Sequence, residues 1–477
     1  MEWFSKNSHW LIALLLSIIS VVVRFLAVDQ TPYPGGWDGY YYVMQVHSWL
    51  TFGYLQSPDF SLIYPFFAAI AFVTGDFILA SKAGVALLSG LLIATVFYSL
   101  SKRGVALPWI CIACSYLVFS PLLTYFVIQF PKNVLGLIFL ILFISSLPNR
   151  IAAVVFLLAT IITHRMTGGF GLIALAIYGL KYIPWKWLVT GGVIVVALSF
   201  LPGVLHISDL LRFNNQLSIG PNWPPFSFYR IYTNSLSVLF MIDLVMISAF
   251  MLLAVFYLAR NRTTLSTQIL LWIPVALISV FPFFKFGPGD VGHRFFMVAP
   301  IAFIMILPFG NVPKSLWTWS AIAVLLGLSV ISFRSYSARY FDPPYRSYET
   351  IVARLTERFD PQNFPLVIAH QPVAEMIIFT TDFDALNWLP PDDMPPQHVL
   401  RIINGVQYPY FLKYLDDADR RQLRSISRGY FALPENIWQR FVQKASEGKD
   451  TKLMDRIYSD FNPMNKRPYF IDKGRKK

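Results

Sequence analysis

The sequence WLIALLLSIISVVVRFLA occupies residues 10–27, and GGWDGYYY follows it at residues 35–42. The first stretch is apolar and long enough to cross a bilayer as a helix, which takes about 20 residues. The second stretch places Asp38 among glycines and aromatic residues just beyond this span. A carboxylate packs poorly there, so we interpret it as a group held at a membrane surface within reach of a lipid-linked substrate.

The composition extends this interpretation to most of the chain. Apolar residues make up 56% of its 477 residues and charged residues 14%, with a mean hydropathy of +0.53, whereas soluble domains contain about 25% charged residues. Eight of the 26 acidic residues precede residue 334 and the other 18 follow it. This shift predicts a membrane domain over residues 1–333 and a soluble domain over residues 334–477.

Eleven apolar segments predict membrane spans. Their approximate limits are 10–28, 78–100, 107–126, 133–148, 151–163, 167–180, 186–203, 236–258, 267–284, 295–309 and 316–332. Basic residues fall in alternate loops, which the positive-inside rule assigns to the cytoplasm. The prediction is a multi-pass protein of the plasma (inner) membrane with a cytoplasmic N-terminus and an extracytoplasmic C-terminal domain. Because these loops account for most of the net charge of +13, we expect no nucleic-acid partner.

The predicted topology gathers polar residues on the outer face. Every outer loop contributes a cation, and only the first offers several acids. This asymmetry suits a substrate with a phosphate leaving group, because cations bind the phosphate and stabilise it as it departs. A carboxylate then takes the proton of the attacking hydroxyl. The alternatives are that Asp38 caps the helix after it, and that single basic residues snorkel to lipid headgroups.

These features resemble those of the GT-C superfamily of integral-membrane glycosyltransferases. The resemblance covers the membrane domain and rests on a first span that ends in Arg24, on Asp38 followed by tyrosines, and on Tyr64-Pro65 before the second span. It implies a polyprenyl-phosphate sugar donor. The sugar would pass, usually with inversion, to a hydroxyl of a lipid, glycan or protein outside the cytoplasm. It also implies that Asp38 is the catalytic base or a metal ligand.

The chain departs from the metal-dependent members of that superfamily. The membrane domain has no DxE motif and no Asp-Glu pair in its first outer loop, and Lys132 stands where an acid could be expected. A divalent metal needs several oxygen ligands. We therefore favour an enzyme that works without a cofactor on a monophosphate-linked sugar, with a divalent metal as the alternative.

Site roles follow from this interpretation. Asp38 is the expected general base. The expected donor-phosphate-binding residues are Lys132, Arg165, His293 and Arg294. The expected substrate-binding residues are Trp37, Tyr40, Tyr41, His164, Lys285 and Asp290. The aromatic residues among them can stack on a sugar ring, although aromatic residues at a membrane interface need no such role.

The C-terminal domain reads as a small α/β fold. Its patterns predict helices at 348–359, 372–379, 416–428 and 435–447, a strand at 365–369 and a further apolar segment at 399–403. In the first outer loop, residues 41–52 predict an interfacial helix. We expect the C-terminal domain to cover the site or to select the acceptor, and binding of a glycan polymer is the alternative.

A transporter or flippase of an anionic or lipid-linked glycan is the rival interpretation. Asp243 lies inside a predicted span, and intramembrane acids often mark solute pathways. Against this, the sequence shows no internal repeat of the kind that transporters often carry. A ligase or polymerase of surface glycans is a third possibility, but such enzymes usually place their key residues in a large outer loop late in the chain.

Overall fold

The computed structural model describes residues 2–36, 38–56, 60–182, 190, 236–260, 265–280, 291–307, 345–386, 395–404, 408–427 and 429–448. The chain divides into two compact units. Unit 1 comprises Met1–Gly35 and Phe60–Phe341, and unit 2 comprises Gly36–Asp59 and Asp342–Lys477. The segment that carries Asp38 therefore groups with the C-terminal part of the chain.

Unit 1 is helical throughout its described residues. Its helices are α1 (Glu2–Val28), α3 (Ile63–Thr74), α4 (Phe77–Lys102), α5 (Leu107–Phe119), α6 (Pro121–Gln129), α7 (Pro131–Ser145), α8 (Arg150–Thr163), α9 (Arg165–Tyr182), α10 (Leu236–Arg260), α11 (Thr267–Val280), α12 (Val291–Phe296) and α13 (Ala299–Ile306). The predicted spans 186–203 and 316–332 lie outside the described residues.

A few of these helices can cross a bilayer, which indicates a membrane protein. Within the described ranges, His9–Val28, Phe77–Lys102 and Asp243–Arg260 are long and apolar enough, and α5 with α6 makes a fourth span if the bent pair is counted as one. The other predicted spans that fall in these ranges correspond to apolar helices of 10–17 residues. Eleven spans are thus not established.

The exposed faces of several of these helices agree with a lipid environment. Trp10 on α1 is 62% exposed, Ile151 on α8 is 79% exposed and Phe256 on α10 is 64% exposed. Exposed apolar surface of this extent is unusual for a soluble protein and normal for helices that contact acyl chains. The exposed apolar side chains of unit 1 therefore agree with the high apolar content of this part of the sequence.

A break between α5 and α6 explains two buried charges. The helices meet at 61°, where Pro121 lacks the amide that would continue the ladder. The Asp243 carboxylate accepts hydrogen bonds from the Tyr116 hydroxyl at 2.8 Å, the Ser120 hydroxyl at 2.8 Å and the Leu122 amide at 2.7 Å. The Asp243 carboxylate thus provides the hydrogen-bond acceptors for donor groups at the break between α5 and α6.

Arg24 serves the other side of the same break. Its guanidinium donates to the Val118 carbonyl and, at 2.8 Å, to the Leu117 carbonyl. The last carbonyls of a helix have no partner within the helix and need outside donors. Arg24 and Asp243 therefore have structural roles in unit 1, and Asp243 no longer supports a solute pathway.

Helices α7 and α9 approach closely at their N-terminal turns. A Cβ built on Gly136 of α7 would lie 2.1 Å from the Thr167 hydroxyl of α9. Real side chains do not approach to this distance, so glycine is required here by the packing of the two helices. The contact places the second turn of α7 beside the first turn of α9.

We expect Gly136→Val to destabilise unit 1 by about 1–3 kcal/mol, the usual cost of overpacking a core. The thermal midpoint of the detergent-solubilised protein measures this effect. Gly169→Val on α9 is the matched control, because a Cβ at Gly169 meets nothing within 4 Å. Equal losses in the two variants would show that the close contact of α7 with α9 is not the cause.

Unit 2 contains α2 (Gly39–Phe52) and a mixed sheet. Its other elements are α14 (Tyr345–Arg358), β1 (Leu366–Ile368), α15 (Gln371–Thr380), β2 (Asp384–Leu386), a 3-10 turn (Pro396–His398), β3 (Val399–Asn404), α16 (Tyr408–Tyr414), α17 (Asp417–Arg420), β4 (Arg424–Ser427), β5 (Tyr430–Pro434) and α18 (Glu435–Glu447). The sheet order is β2-β1-β3-β5-β4. Strand β1 is parallel to β2 and β3, and β5 is antiparallel to β3 and β4.

A buried ion pair crosses the core of unit 2. The Arg401 Nε atom of β3 lies 2.5 Å from Glu435 Oε2, and its Nη2 atom lies 2.7 Å from Oε1. Both side chains are 2% exposed. The guanidinium also lies 5.0 Å from the centre of the Trp438 ring, and Trp438 packs with Phe411 and Phe441 in the same hydrophobic core. The pair thereby ties β3 to the first turn of α18.

The sequence-based assignment of the C-terminal region is confirmed in most elements and wrong in one. The predicted helices at 348–359, 372–379 and 435–447 and the strand at 365–369 are present, and the apolar segment at 399–403 is a strand. The predicted helix at 416–428 is wrong: Asp416 caps only the single turn Asp417–Arg420. Residues 424–427 then pair with β5, because the sheet overrides local helical preference.

Candidate functional site

Asp38 stands at the N-cap position of α2. It is half-buried, its backbone has φ −97° and ψ 19°, and its side chain makes no capping hydrogen bond. Aspartate is among the best N-cap residues because its carboxylate normally accepts from the second or third amide of the helix. The capping explanation for this acid is therefore not supported.

The turn before Asp38 is set by Gly36. This residue has φ +84°, in the left-handed region that residues with a Cβ avoid. The Gly36 carbonyl accepts from the Gly39 amide at 3.2 Å and from the Tyr345 hydroxyl of α14 at 2.9 Å. The position of Asp38 is thus fixed from both sides within unit 2.

A second acid, Glu375 of α15, belongs to the same part of unit 2. Helix α15 packs against α2, and Glu375 is 1% exposed. Its Oε1 atom accepts from the Gln371 amide group at 2.9 Å. Burial first, and the charge of Asp38 second, raise the pKa of this carboxyl well above its usual range, against hydrogen bonds from Gln371 and the Tyr41 backbone. The Glu375 carboxyl group therefore holds its proton more strongly than a solvent-exposed glutamate does.

The predicted tyrosines pack inside unit 2. Tyr40 is 2% exposed, and its ring centre lies 4.9 Å from that of Tyr345 in an edge-on contact and 5.9 Å from that of Phe379. Burial, followed by the charge of Glu349, raises the pKa of Tyr40 to about 12. Tyr41 is also buried, 5.5 Å from Tyr42. Packing inside unit 2 explains the positions of Tyr40 and Tyr41. Because both rings are buried, the structure does not support stacking of either ring on a sugar. The predicted Trp37, Lys285 and Asp290 lie outside the described residues.

The predicted phosphate-binding residues all belong to unit 1. Lys132 is the second residue of α7 and is 8% exposed. Its Nζ atom lies 4.8 Å from the centre of the Tyr64 ring in the first turn of α3. The Ser61 hydroxyl, just before α3, donates at 2.7 Å to the Thr163 carbonyl at the end of α8. The start of α3 is thus tied both to Lys132 and to the junction of α8 with α9.

Arg165 is the first residue of α9, and it is exposed. His164 precedes it, and the His164 Nδ1 atom accepts from the Met166 amide at 3.2 Å. This bond fixes His164 as the tautomer with its proton on Nε2. His164 therefore helps to begin helix α9. This structural role explains the presence of a histidine here without a contact to a substrate.

His293 and Arg294 approach the corner between α6 and α7. The His293 ring is fully buried, 5.9 Å from the Tyr125 ring of α6. The Arg294 guanidinium lies 4.7 Å from the centre of the Phe130 ring, and Phe130 is the residue between these two helices. The neighbouring Phe295 packs 5.3 Å from Phe170 of α9. Helix α12 thus contacts the α6–α7 corner and α9.

These contacts gather three helix N-termini in unit 1, those of α3, α7 and α9, with the basic residues Lys132 and Arg165 on two of them. A helix N-terminus carries about half a positive charge, so a cation is unfavourable there. An anion bound to the backbone amides compensates both charges. The arrangement favours binding of a phosphate group.

The described residues of the two units contain no cluster of side chains that could bind a metal ion. Among those residues, no group of three or more His, Cys, Asp or Glu side chains could hold a metal ion. No protein-family model matches the chain, and no curated protein sequence matches it.

Proposed function

We propose that this chain is a membrane glycosyltransferase. It transfers a sugar from a polyprenyl-phosphate donor to a hydroxyl of a lipid, glycan or protein acceptor, with inversion and with Asp38 as general base. The proposal includes a GT-C-like membrane domain of about eleven spans in the plasma (inner) membrane, with the transfer on the extracytoplasmic side. It includes no resident metal.

The observation that carries this proposal is the group of basic residues at helix N-termini in unit 1. Lys132 and Arg165 lie in the first turns of α7 and α9, and Arg294 stacks on Phe130 immediately before α7. Two arginines and a lysine can bind a phosphate monoester or diester through charge-assisted hydrogen bonds. Unit 1 also contains helices that can cross a membrane, and a lipid-linked phosphate is one of the anions that a membrane presents.

The proposed reaction is a single displacement at the anomeric carbon. The acceptor hydroxyl gives its proton to the Asp38 carboxylate as its oxygen bonds to the anomeric carbon. The bond from that carbon to the phosphate oxygen breaks, and polyprenyl phosphate leaves with the electron pair. Lys132, Arg165 and Arg294 stabilise the charge that develops on the phosphate, which is the larger electrostatic contribution in reactions of this kind.

The test is sugar transfer by the purified protein in lipid nanodiscs, with a panel of synthetic polyprenyl-phosphate sugars and labelled acceptors. Wild type is expected to consume at least one donor and release polyprenyl phosphate, and Asp38→Asn is expected to lose this activity. Translocation of a lipid-linked glycan without consumption of any donor would instead identify a flippase.

Lys132→Met tests the phosphate site by itself. Removing one charge-assisted hydrogen bond costs about 1.5–3 kcal/mol, so we expect the KM for the donor to rise about tenfold or more, with a smaller change in the KM for the acceptor. Lys102→Met is the matched control, because Lys102 lies in the last turn of α4 and donates to the Ser145 carbonyl at 2.8 Å. Equal effects of the two variants would remove Lys132 from the site.

A further inference from the structure

The start of α2 presents an unusual pair of carboxyl groups. Asp38 holds the N-cap position without capping the helix. The carboxyl group of Glu375 instead faces the backbone amide of Tyr41, the third residue of α2. An N-cap side chain ordinarily supplies the hydrogen-bond acceptor for the amide of the third residue of the helix. An acid from the C-terminal region thus occupies the acceptor position that local sequence assigns to Asp38.

Glu375 is enclosed in unit 2. It is 1% exposed, and its Oε1 atom accepts a hydrogen bond from the side-chain amide of Gln371 at 2.9 Å. Its Oε2 atom is fully buried and accepts no well-formed hydrogen bond from the residues that the structure describes. A buried carboxylate with so few donors is costly, and a second negative charge close by raises that cost. The pair is therefore most stable with one proton.

We propose that Glu375 is a positioning residue for Asp38: it replaces Asp38 at the start of α2 and keeps the pair at a single negative charge. This inference rests on the proposed function, because it assigns Asp38 the role of base. It gives the C-terminal region a direct part in the reaction. The proton of Glu375 stays on the pair during transfer, and only Asp38 exchanges a proton with the acceptor.

The surroundings of Glu375 define which groups can contribute to its pH response. Helix α15 packs against α2, α14 and β2. These neighbours carry the following titratable and charged residues: Asp38, Tyr40, Tyr41, Tyr42 and His47 at or on α2, Tyr345, Arg346, Tyr348, Glu349, Arg354, Glu357 and Arg358 on α14, and Asp384 on β2. Tyr345 has its pKa raised by burial and then by Glu375, so the hydroxyl stays neutral. His47 needs a control, because histidines titrate near neutral pH.

The experiment compares pH profiles of kcat/KM for wild type, Glu375→Gln and Glu375→Ala. In wild type, we expect activity to fall at alkaline pH as Glu375 ionises, because two like charges at the start of α2 repel each other and displace Asp38. In Glu375→Gln, the group is permanently neutral and can still accept from the Tyr41 amide. We therefore expect activity within about threefold of wild type at pH 7 and no alkaline fall. Glu375→Ala is expected to lose about tenfold or more at every pH.

Two controls separate this effect from general destabilisation. His47→Gln is expected to leave the alkaline fall in place. Glu435→Gln removes another buried acid of unit 2 that is paired with Arg401 rather than with Asp38, and it is expected to lower stability without removing the fall. An alkaline fall that persists unchanged in Glu375→Gln would overturn the inference, as would equal losses in the Gln and Ala variants.

A readout that needs no substrate keeps the inference separate from the proposed function. Infrared spectra of the full chain at pH 7 should contain the carbonyl band of a protonated carboxylic acid. This band is expected to disappear in Glu375→Gln and to remain in Asp38→Asn and Glu435→Gln. Its presence in a protein that consumes no donor would mean that the transferase proposal fails while the acid pair stands. Its absence from wild type would overturn the acid pair whatever the activity.

Discussion

Asp38→Asn is expected to lower kcat/KM for sugar transfer by at least about a hundredfold, as the loss of a general base does. Asparagine has nearly the same volume as aspartate and is an equally good N-cap residue, so α2 should keep its start at Gly39. The amide cannot take the proton of the acceptor hydroxyl. Because the proposed phosphate ligands are in unit 1, the KM for the donor should stay close to that of wild type.

Asp76→Asn is the matched control for this experiment. Asp76 is also the N-cap of a helix, and its carboxylate does cap α4, with the Ile78 and Leu79 amides at 2.7 and 2.9 Å. Its Asn variant should retain near-normal transfer. Steady-state rates with a saturating acceptor measure both variants. If Asp38→Asn were as active as Asp76→Asn, Asp38 would not be the base and the acceptor proton would have to go elsewhere.

Arg401→Met is expected to destabilise unit 2 by about 3–5 kcal/mol, because removing one partner of a buried ion pair strands the other charge. Glu435 would be left 2% exposed with both oxygens deprived of their guanidinium donors. Hydrogen exchange of the β3 amides in the full-length protein reports the loss, since β3 lies at the centre of the sheet. Its protection factors should fall by about two to four orders of magnitude.

The double variant Arg401→Met/Glu435→Leu shows whether the stranded charge is the cause. Replacing a whole buried ion pair with apolar side chains of similar volume is often neutral or stabilising. We therefore expect the double variant to recover most of the protection at β3. A double variant as unstable as Arg401→Met would instead point to the contact of the guanidinium with Trp438.

Local sequence patterns predicted the helices better than their breaks. The apolar runs at 78–100 and 236–258 correspond to helices of 26 and 25 residues. The run at 107–126 does not make one straight helix, because Pro121 and the buried Asp243 carboxylate stabilise a break that periodicity alone does not reveal. Helix α3 is not among the predicted spans, since its 12 residues are too few to cross a bilayer.

The candidate site depends on contacts that are distant in sequence. Asp38 stood out because it is an isolated acid among glycines and aromatics. The only local signal for Glu375 is that it is an acid within the apolar run QPVAEMIIFT, and this signal does not identify its partner. The chain segments that hold the pair are far apart: the bond from Tyr345 to Gly36 joins residues separated by 309 positions.

The division of unit 2 into Gly36–Asp59 and Asp342–Lys477 has a consequence for biosynthesis. Helix α2 is synthesised early, but α14 and α15, against which its buried face packs, follow only after the whole of unit 1. At a translation rate of about 5–20 residues per second, α2 waits roughly 15–60 s for these partners. Tyr40, Val43 and Met44 are each 2% exposed or less in the finished protein. During that interval a chaperone or the membrane surface must shield them, which exposes this early segment to quality control before the rest of unit 2 exists.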